Sequence, residues 1–340
     1  MTRTMKAAVF EGDGTLSLKK MPVPSVQGPD DVLIRVEAAA VCGTDLHILH
    51  VPPGHPATAG SILCHEYVGE ALEVGGDCGG LKPGDKVAVD PNITCGHCGA
   101  CQDGRHNMCA EMTTLGIFRH GGFAPYNVAP ARQLYPYKKT LAPELAVFAE
   151  PLACVASAVR KLALYPGESC LVLGGGPIGQ YFAGLARAAG CRPVILSEPV
   201  AFRRNFARES GASIVVDPAR KELAKVVKQE TGTGANVVID AVGSLFAEAL
   251  SLAARGGRIL LFGQNQQALC EVAQNQITRN ELTVMGSYIA RHTFPDALRI
   301  LESGVLELEH LITHLITLDQ LPRGIKAMRS GKAMKVIVKF

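Results

Sequence analysis

The chain contains no tryptophan, and aromatic residues make up only 5% of its 340 residues. This scarcity argues against a binding pocket built by stacking a ligand between aromatic rings. Dense runs of lysine and arginine are also missing, and the formal net charge is only +3. We therefore expect neither nucleic acid nor an anionic membrane surface as a partner.

No stretch of the sequence is apolar for long enough to predict a membrane-spanning helix. The longest weakly charged stretch, 171–186, is interrupted by several glycines and a proline. The first residues lack an apolar run before Glu11 and Asp13 intervene, and the 11 cysteines are an odd number. These features argue against secretion, and we expect a soluble protein in the reducing cytoplasm.

At 340 residues and 47% hydrophobic content, the chain is long enough for two domains. Short strand-like runs separated by turn residues fill the first 150 residues, at 6–10, 32–39, 67–74 and 86–89. Beyond Glu150, apolar runs alternate with helical segments, at 169–173, 194–197, 214–216, 237–240, 258–262 and 282–288. This alternation predicts an α/β protein, with a β-rich domain followed by a doubly wound parallel sheet.

Four cysteines with the spacing C-x2-C-x2-C-x7-C stand in a glycine-rich segment: Cys95, Cys98, Cys101 and Cys109. Disulfides are the alternative, but pairs separated by two residues are typical of a metal knuckle. Four thiolates complete a tetrahedral zinc shell and leave no open position for a substrate. The spacing therefore predicts a structural zinc site.

A glycine-rich loop follows one apolar run directly and precedes a helical segment. It matches G-x-G-x-x-G and consists of Gly174, Gly175, Gly176, Pro177, Ile178 and Gly179. In this context the first glycine permits the turn, the second lets a pyrophosphate approach, and the third lets helix and strand pack. The loop predicts a dinucleotide site.

The acidic residue expected on the ribose is Glu198, which ends the next strand-like run. A carboxylate there accepts the ribose hydroxyls and repels a 2′-phosphate, which favours NAD. Arg203 and Arg204 follow closely and leave NADP open as the alternative.

A second group of metal-ligand residue types lies upstream, in Cys42 and in the pair His65 and Glu66. A thiolate, an imidazole and one carboxylate, from Glu66 or Glu150, would leave a fourth zinc position for water or a substrate oxygen. This pattern predicts a catalytic zinc, separate from the structural one, and hence two zinc ions per chain.

Two residues close to Cys42 have predicted roles beside that metal. Thr44 could hydrogen-bond an alcohol on the metal, and Asp45 could orient a histidine ligand. Each of these residue types alone is ordinary in a protein core, so the prediction depends on their conjunction with the structural zinc and the dinucleotide loop.

With these motifs in order, the chain resembles the zinc-dependent medium-chain dehydrogenase/reductase family, in particular its polyol and threonine dehydrogenase branches. The resemblance implies a GroES-like domain at 1–153 with a zinc lobe at 91–112, a Rossmann domain at 154–290, and a segment 291–340 that returns to the GroES-like domain. It implies zinc ligation by Cys42, His65 and Glu66, with Glu150 matching a glutamate at or near the metal in polyol dehydrogenases. It also implies a homotetramer, with a dimer as the alternative.

The sequence departs from the family pattern at Cys64, because glycine usually precedes the His-Glu pair. One interpretation is that the small thiol simply fits the core. The other is that it competes for the metal or oxidises beside it.

The predicted activity is NAD-linked oxidation of a small-molecule alcohol to a carbonyl, with Thr44 and His47 conducting the proton outward. The sequence Glu150-Pro151-Leu152 favours a polyol or vicinal diol, since a second substrate oxygen could use the Glu150 carboxylate. The alternatives are an L-threonine 3-dehydrogenase or another alcohol dehydrogenase. A zinc-stabilised protein that senses NAD without turnover is the alternative class, but it gives Cys42, Thr44, His65 and Glu66 no reason to occur together.

Overall fold

The computed structural model describes residues 3–340. The chain forms two compact units, each with its own hydrophobic core. Unit 1 contains the residues up to Ala153 together with Arg291–Glu302 and Ile312–Phe340, and unit 2 contains Cys154–Ala290 and Ser303–Leu311. Across the described residues, no helix combines the length and the apolar character needed to cross a bilayer.

The N-terminal part of unit 1 is rich in short strands. Its strands are β1 (Thr4–Gly12), β2 (Thr15–Pro22), β3 (Asp31–Ala40), β4 (Glu66–Val74), β5 (Lys86–Val89), β6 (Asn92–Ile93), β7 (Thr113–Thr114), β8 (Tyr126–Pro130) and β9 (Leu134–Pro136). Its helices are α1 (Gly43–Ile48), α2 (Gly99–Gln102), α3 (Pro143–Ala146) and the start of α4 (Ala149–Leu162). Single 3-10 turns lie at His106–Met108 and Ala131–Gln133.

Unit 2 contains a six-stranded, wholly parallel sheet in the order β12-β11-β10-β13-β14-β15. These strands are β10 (Cys170–Leu173), β11 (Val194–Ser197), β12 (Ile214–Val216), β13 (Ala235–Asp240), β14 (Ala253–Leu261) and β15 (Thr283–Gly286). The helices between them are α5 (Pro177–Ala188), α6 (Ala201–Arg204), α7 (Leu223–Thr231), α8 (Phe246–Leu252) and α9 (Gln274–Arg279). Strands β10 and β11 are buried at every position, as expected for a parallel sheet covered on both faces.

The chain ends with α10 (Phe294–Ser303), β16 (Ile312–Thr317), α11 (Leu321–Arg329) and β17 (Lys335–Lys339), with 3-10 turns at Glu309–Leu311 and Leu318–Gln320. β16 and β17 complete the main sheet of unit 1, whose order is β16-β17-β3-β4-β5-β9, with β8 also paired to β3. The last strand, whose domain the strand pattern alone left open, thus lies in unit 1. The predicted α/β fold, with a β-rich domain and a Rossmann-type parallel sheet, is confirmed.

One part of the C-terminal segment differs from its predicted assignment to the GroES-like domain. Residues 303–311 group with unit 2, not unit 1. There, Leu306 fills the space beside Gly184, where a Cβ would lie 2.8 Å from its Cδ2, and His310 Nε2 hydrogen-bonds Ser210 Oγ at 2.8 Å. Glycine at position 184 therefore leaves the space in which the segment 303–311 packs against unit 2.

Candidate active site

Two neighbouring strands of unit 1 bring the predicted catalytic ligands together. β3 ends at Ala40, which pairs with Glu66, the first residue of β4. Because the two strands are antiparallel, Cys42, just beyond the end of β3, comes beside His65 and Glu66. The ligand atoms of these three residues all lie within 4.8 Å of one another.

The electrostatics of this group favour a bound cation. Burial raises the pKa of the Cys42 thiol, and the Glu66 carboxylate raises it further. Burial opposes a charged imidazole at His65, but the negative charges of Cys42 and Asp45 outweigh it and hold the pKa of His65 well above its usual range. His65 Nδ1 is also buried without a hydrogen-bond partner. A thiol, an imidazole and a carboxylate around one buried point therefore fit Zn²⁺.

Helix α1 contains three more of the predicted site residues. The N–H of Cys42, the N-cap, donates to Asp45 Oδ2 at 2.9 Å, so Asp45 shapes the turn that presents the thiol. Burial raises the pKa of Asp45 to about 6. Thr44 Oγ1 lies 3.7 Å from Cys42 Sγ, and the exposed His47 follows one helical turn later. Within residues 3–340, no hydrogen bond joins the side chains of Thr44 and His47.

Glu150 is buried in the first turn of α4. Burial raises the pKa of its carboxyl group to about 7, and the group interacts electrostatically with His65 and Glu66. Its oxygens do not belong to the set of ligand atoms that lie within 4.8 Å of one another. Glu150 is thus near the predicted metal position but outside the tight group of Cys42, His65 and Glu66.

The four cysteine sulfurs of the segment 91–112, hereafter the four-cysteine lobe, also lie within 4.8 Å of one another. The N–H of Cys95 donates to Cys109 Sγ and the N–H of Cys98 donates to Cys95 Sγ, each at 3.3 Å. Backbone donors aimed at sulfur stabilise thiolates. The donor set therefore fits a closed tetrahedral zinc shell.

The glycine-rich loop of unit 2 connects β10 to α5. Gly174 has a φ of +98°, which favours glycine, and a Cβ at Gly179 would overlap the Gly174 carbonyl oxygen. Gly176 is the N-cap of α5, and open space lies where its Cβ would point. Pro177 and Ile178 form the first turn of α5. The loop thus leaves free room at Gly176, beside the helix N-terminus.

Glu198, directly after β11, is buried and uses both carboxylate oxygens to hold this region. Oε2 accepts the N–H of Gly175 at 2.7 Å, and Oε1 accepts the N–H of Val200 at 2.8 Å. Arg203 Nη1 lies 3.9 Å from the same carboxylate. Arg204 donates to the Glu198 carbonyl at 2.7 Å and pairs with Asp217 at 2.8 Å, so its guanidinium is engaged by the chain itself.

Comparison with known proteins adds independent observations. Residues 28–139 match the alcohol dehydrogenase GroES-like domain, and residues 177–303 match the zinc-binding dehydrogenase domain. L-threonine 3-dehydrogenase from Pyrococcus furiosus is 35% identical over 338 residues, which cover 94% of each chain. The chain belongs to the zinc-dependent medium-chain dehydrogenase/reductase family. It is therefore an oxidoreductase of the zinc-dependent alcohol dehydrogenase type, which confirms the predicted family and enzyme class.

Solved structures that match almost the full length of this chain agree with the family assignment. A protein from Sinorhizobium meliloti 1021, described as a zinc-binding dehydrogenase bound to NADP, matches with a TM-score of 0.94 and 35% identity, covering 99% of this chain and 100% of that one. The 2R,3R-butanediol dehydrogenase of Bacillus subtilis matches with a TM-score of 0.90 and 29% identity over 99% of both chains.

One residue of this dehydrogenase's site was missed by sequence reasoning. Lys335, the first residue of β17, is buried and forms an ion pair with the buried Glu66 carboxylate. Its ammonium also lies 5.8 Å from the centre of the Phe148 ring. β17 pairs with β3 on the side opposite β4, so the three strands bring these residues to one end of the sheet. The one available signal was a lysine within the apolar run 334–338.

The structure gives a physical account of Cys64, where the family usually has glycine. Its φ is +83°, in the region that favours glycine. The buried thiol donates to the Glu66 carbonyl at 3.1 Å, and its sulfur is outside the Cys42, His65 and Glu66 group. This geometry supports the interpretation of Cys64 as a small core residue held in a strained backbone conformation.

Proposed function

We propose that this dehydrogenase oxidises a secondary alcohol of a polyol, sugar alcohol or vicinal diol to a ketone, with NAD as the hydride acceptor. Cys42, His65 and Glu66 would hold a catalytic zinc, and the four-cysteine lobe would hold a structural one. When bound, the catalytic zinc supplies Lewis acidity that eases loss of the hydroxyl proton, and the nicotinamide accepts the hydride.

The chain's own groups can then move the proton. Thr44 lies beside the Cys42 thiol and can accept a hydrogen bond from the substrate hydroxyl while donating its own proton onward. His47, one helical turn away and exposed, can pass a proton to water. A water molecule between the two side chains would complete this path, because they share no direct hydrogen bond.

The observation that supports a polyol over a simple alcohol is the burial of Glu150 near the metal-ligand group. A carboxyl group in this position can form a hydrogen bond with a second substrate hydroxyl, which a simple alcohol lacks. Burial favours the neutral form of this carboxyl group, and a zinc ion nearby would favour the charged form. A hydroxyl can pair with either form, since it both donates and accepts.

L-Threonine is the second candidate, and the name of the Pyrococcus furiosus relative favours it. Its ammonium group would take the place of the second hydroxyl beside Glu150. An ammonium group pairs well only with the charged carboxylate, whereas a hydroxyl pairs with both the charged and the neutral form of Glu150. We take the diol as the first candidate because its pairing does not require one charge state of Glu150.

NAD is favoured because a carboxylate at the end of this strand, as Glu198 is, repels a 2′-phosphate. Arg204, which could otherwise bind that phosphate, is held by Asp217 and by the Glu198 carbonyl. NADP is the second candidate, because the Sinorhizobium meliloti protein was solved with it.

Kinetic measurements on a matched panel of diols, mono-alcohols and L-threonine test which class of alcohol the enzyme oxidises. We expect 2,3-butanediol to exceed 2-butanol by at least about tenfold in kcat/KM, equivalent to about 1.4 kcal/mol of transition-state binding. Glu150→Gln should remove most of this advantage while leaving the KM for NAD unchanged. Equal rates on the two alcohols would refute the diol proposal, and a clear preference for L-threonine over every polyol tested would establish the second candidate.

A further inference from the structure

Two exposed side chains face each other on the surface of the four-cysteine lobe. His97 Nε2 lies 3.3 Å from Glu111 Oε1, and the side chains are 72% and 62% exposed. The sulfur of Cys95 completes this group, because the three ligand atoms all lie within 4.8 Å of one another. None of the roles proposed above uses His97 or Glu111.

The imidazole of His97 is oriented by the backbone. Its Nδ1 lies 3.0 Å from the Cys95 carbonyl oxygen, which can only accept a hydrogen bond. Nδ1 therefore holds the hydrogen, and Nε2 is the ring atom that faces the carboxylate. A histidine that ligates a metal usually donates its other ring N–H to a backbone carbonyl or a carboxylate in this way.

The distance between His97 Nε2 and Glu111 Oε1 also suits two atoms that bind the same metal ion. Typical Zn–N and Zn–O distances of about 2.0–2.2 Å at a tetrahedral angle place nitrogen and oxygen about 3.3–3.4 Å apart. A direct N–H···O hydrogen bond is usually shorter, at about 2.9–3.0 Å. The observed 3.3 Å is within the range of a His–Glu ion pair and also equals one edge of a zinc tetrahedron, so the two side chains are spaced to share an ion.

We propose that His97, Glu111 and Cys95 form an exchangeable binding site for a divalent cation of the zinc class. The Cys95 sulfur would be shared with the closed shell, so this part of the proposal rests on the proposed structural zinc. Nitrogen, oxygen and sulfur donors together favour Zn²⁺ or Co²⁺ over Mg²⁺ or Ca²⁺. Because the chain supplies only three ligands at an exposed position, the ion exchanges readily with solvent.

The test is a Co²⁺ titration of the full-length, zinc-loaded protein after dialysis, with the zinc content of each sample measured in parallel. Bound Zn²⁺ is d¹⁰, so the absorbance comes from Co²⁺ alone, and an unchanged zinc content shows that this Co²⁺ has not displaced zinc from either proposed zinc site. A thiolate-to-cobalt band at unchanged zinc content then reports the Cys95 sulfur. We expect one added equivalent of Co²⁺, with Kd at least about tenfold weaker in His97→Ala and in Glu111→Gln.

His50→Ala is the matched control. The His50 ring is also exposed and fixed by a backbone carbonyl, with Nδ1 2.8 Å from the Pro52 oxygen, but no carboxylate within residues 3–340 pairs with it. This variant should bind Co²⁺ like the wild type. Unchanged binding in His97→Ala, or no added equivalent in the wild type, overturns the proposal. A dialysed sample without lobe zinc would refute the four-cysteine assignment instead, so the two failures are distinguishable.

Discussion

The buried Glu66 carboxylate is attracted by two cations, the Lys335 ammonium and the metal proposed beside Cys42 and His65. An ion pair removed from water stabilises a fold only while both members are present, and loss of one partner leaves an uncompensated charge. A zinc ion beside Glu66 would provide a second source of positive charge. The importance of Lys335 should therefore depend on whether zinc is bound.

We predict that Lys335→Met destabilises the zinc-free protein more than the zinc-loaded protein. Breaking a buried pair costs about 3 kcal/mol or more, which corresponds to a Tm decrease of about 6 °C or more for a unit of this size. With zinc bound, the decrease should be less than half as large. Thermal unfolding of both variants with and without chelator measures the difference.

Lys339→Met is the control for this prediction, because Lys339 lies on the same strand and pairs with Glu144 while its side chain is 50% exposed. Exposed pairs contribute little, so its Tm should stay within about 2 °C of the wild type in either state. An equal Tm decrease for Lys335→Met in both states would show that zinc does not share the Glu66 charge.

Asp90, which follows β5, makes stability depend on pH. Burial raises its pKa from 3.8 to about 6 in the folded protein. A carboxyl group with a raised folded pKa stabilises the fold below pH 3.8, and this contribution is lost as the pH rises through about 6. Asp90 Oδ1 accepts the N–H of Asn92 at 3.0 Å, a bond that an asparagine oxygen can also accept.

We therefore predict that Asp90→Asn raises the Tm relative to the wild type, and that the gain grows between pH 5 and pH 7.5. At pH 7.5 the corresponding gain in the free energy of unfolding should reach about 1–2 kcal/mol. It is smaller than the full pKa shift would give, because the carboxylate is partly exposed to water. Asp77→Asn, at an exposed position, should give no such trend. A Tm difference that is flat with pH would contradict the assignment of this titration to Asp90.

At the scale of elements, the turn after β10 and the turn after β11 are joined by one side chain, Glu198. Its carboxylate holds both Gly175 and Val200 through their N–H groups. It therefore contributes both the shape of the glycine-rich loop and the negative charge that we propose excludes a 2′-phosphate.

The variant Glu198→Gln distinguishes the effect on loop shape from the effect of charge, because glutamine keeps one acceptor oxygen but has no negative charge. We predict that the ratio of kcat/KM for NAD to that for NADP falls by about tenfold or more, while the KM for NAD rises because the loop loses one hydrogen bond. Glu222→Gln, an exposed change in the same unit, is the control. A wild-type preference for NADP would show that Arg203 governs the choice of cofactor.

The elements that were predictable from the sequence are those with strong local patterns. The apolar runs of unit 2 appear as β10 to β15, and the signal is clearest in β10 and β11, where burial at every position leaves a continuous apolar run. Lys335 could not be placed, because its contact with Glu66 joins strands 269 residues apart in sequence. The boundary at 303–311 was missed because it depends on side-chain packing against Gly184 rather than on local periodicity.

At the scale of the whole molecule, the two kinds of proposed ligand belong to different units. Both predicted zinc groups lie in unit 1, and the glycine-rich loop with Glu198 lies in unit 2. Each unit also has its own core, one around Ile34, Val36 and Tyr67 and the other around Leu171, Ile195 and Val238. A ligand that binds only the folded form stabilises the part of the structure to which it binds. Zinc and NAD should therefore protect different sheets.

Hydrogen exchange resolved by peptide tests this separation. We predict that a chelator speeds exchange in the four-cysteine lobe and at the start of β4 but not in β10, β11 or β13, whereas NAD slows exchange in the loop between β10 and α5.

Cys101→Ser should reproduce the faster exchange of the lobe and retain one zinc ion per chain, because only the closed shell is lost. Cys42→Ala should keep the lobe protected and also retain one zinc ion, but lose at least about 100-fold in kcat because an open-site ligand is missing. Fully active protein with a single zinc ion, or equal deprotection of both sheets by the chelator, would show that the metal sites and the two cores are not independent.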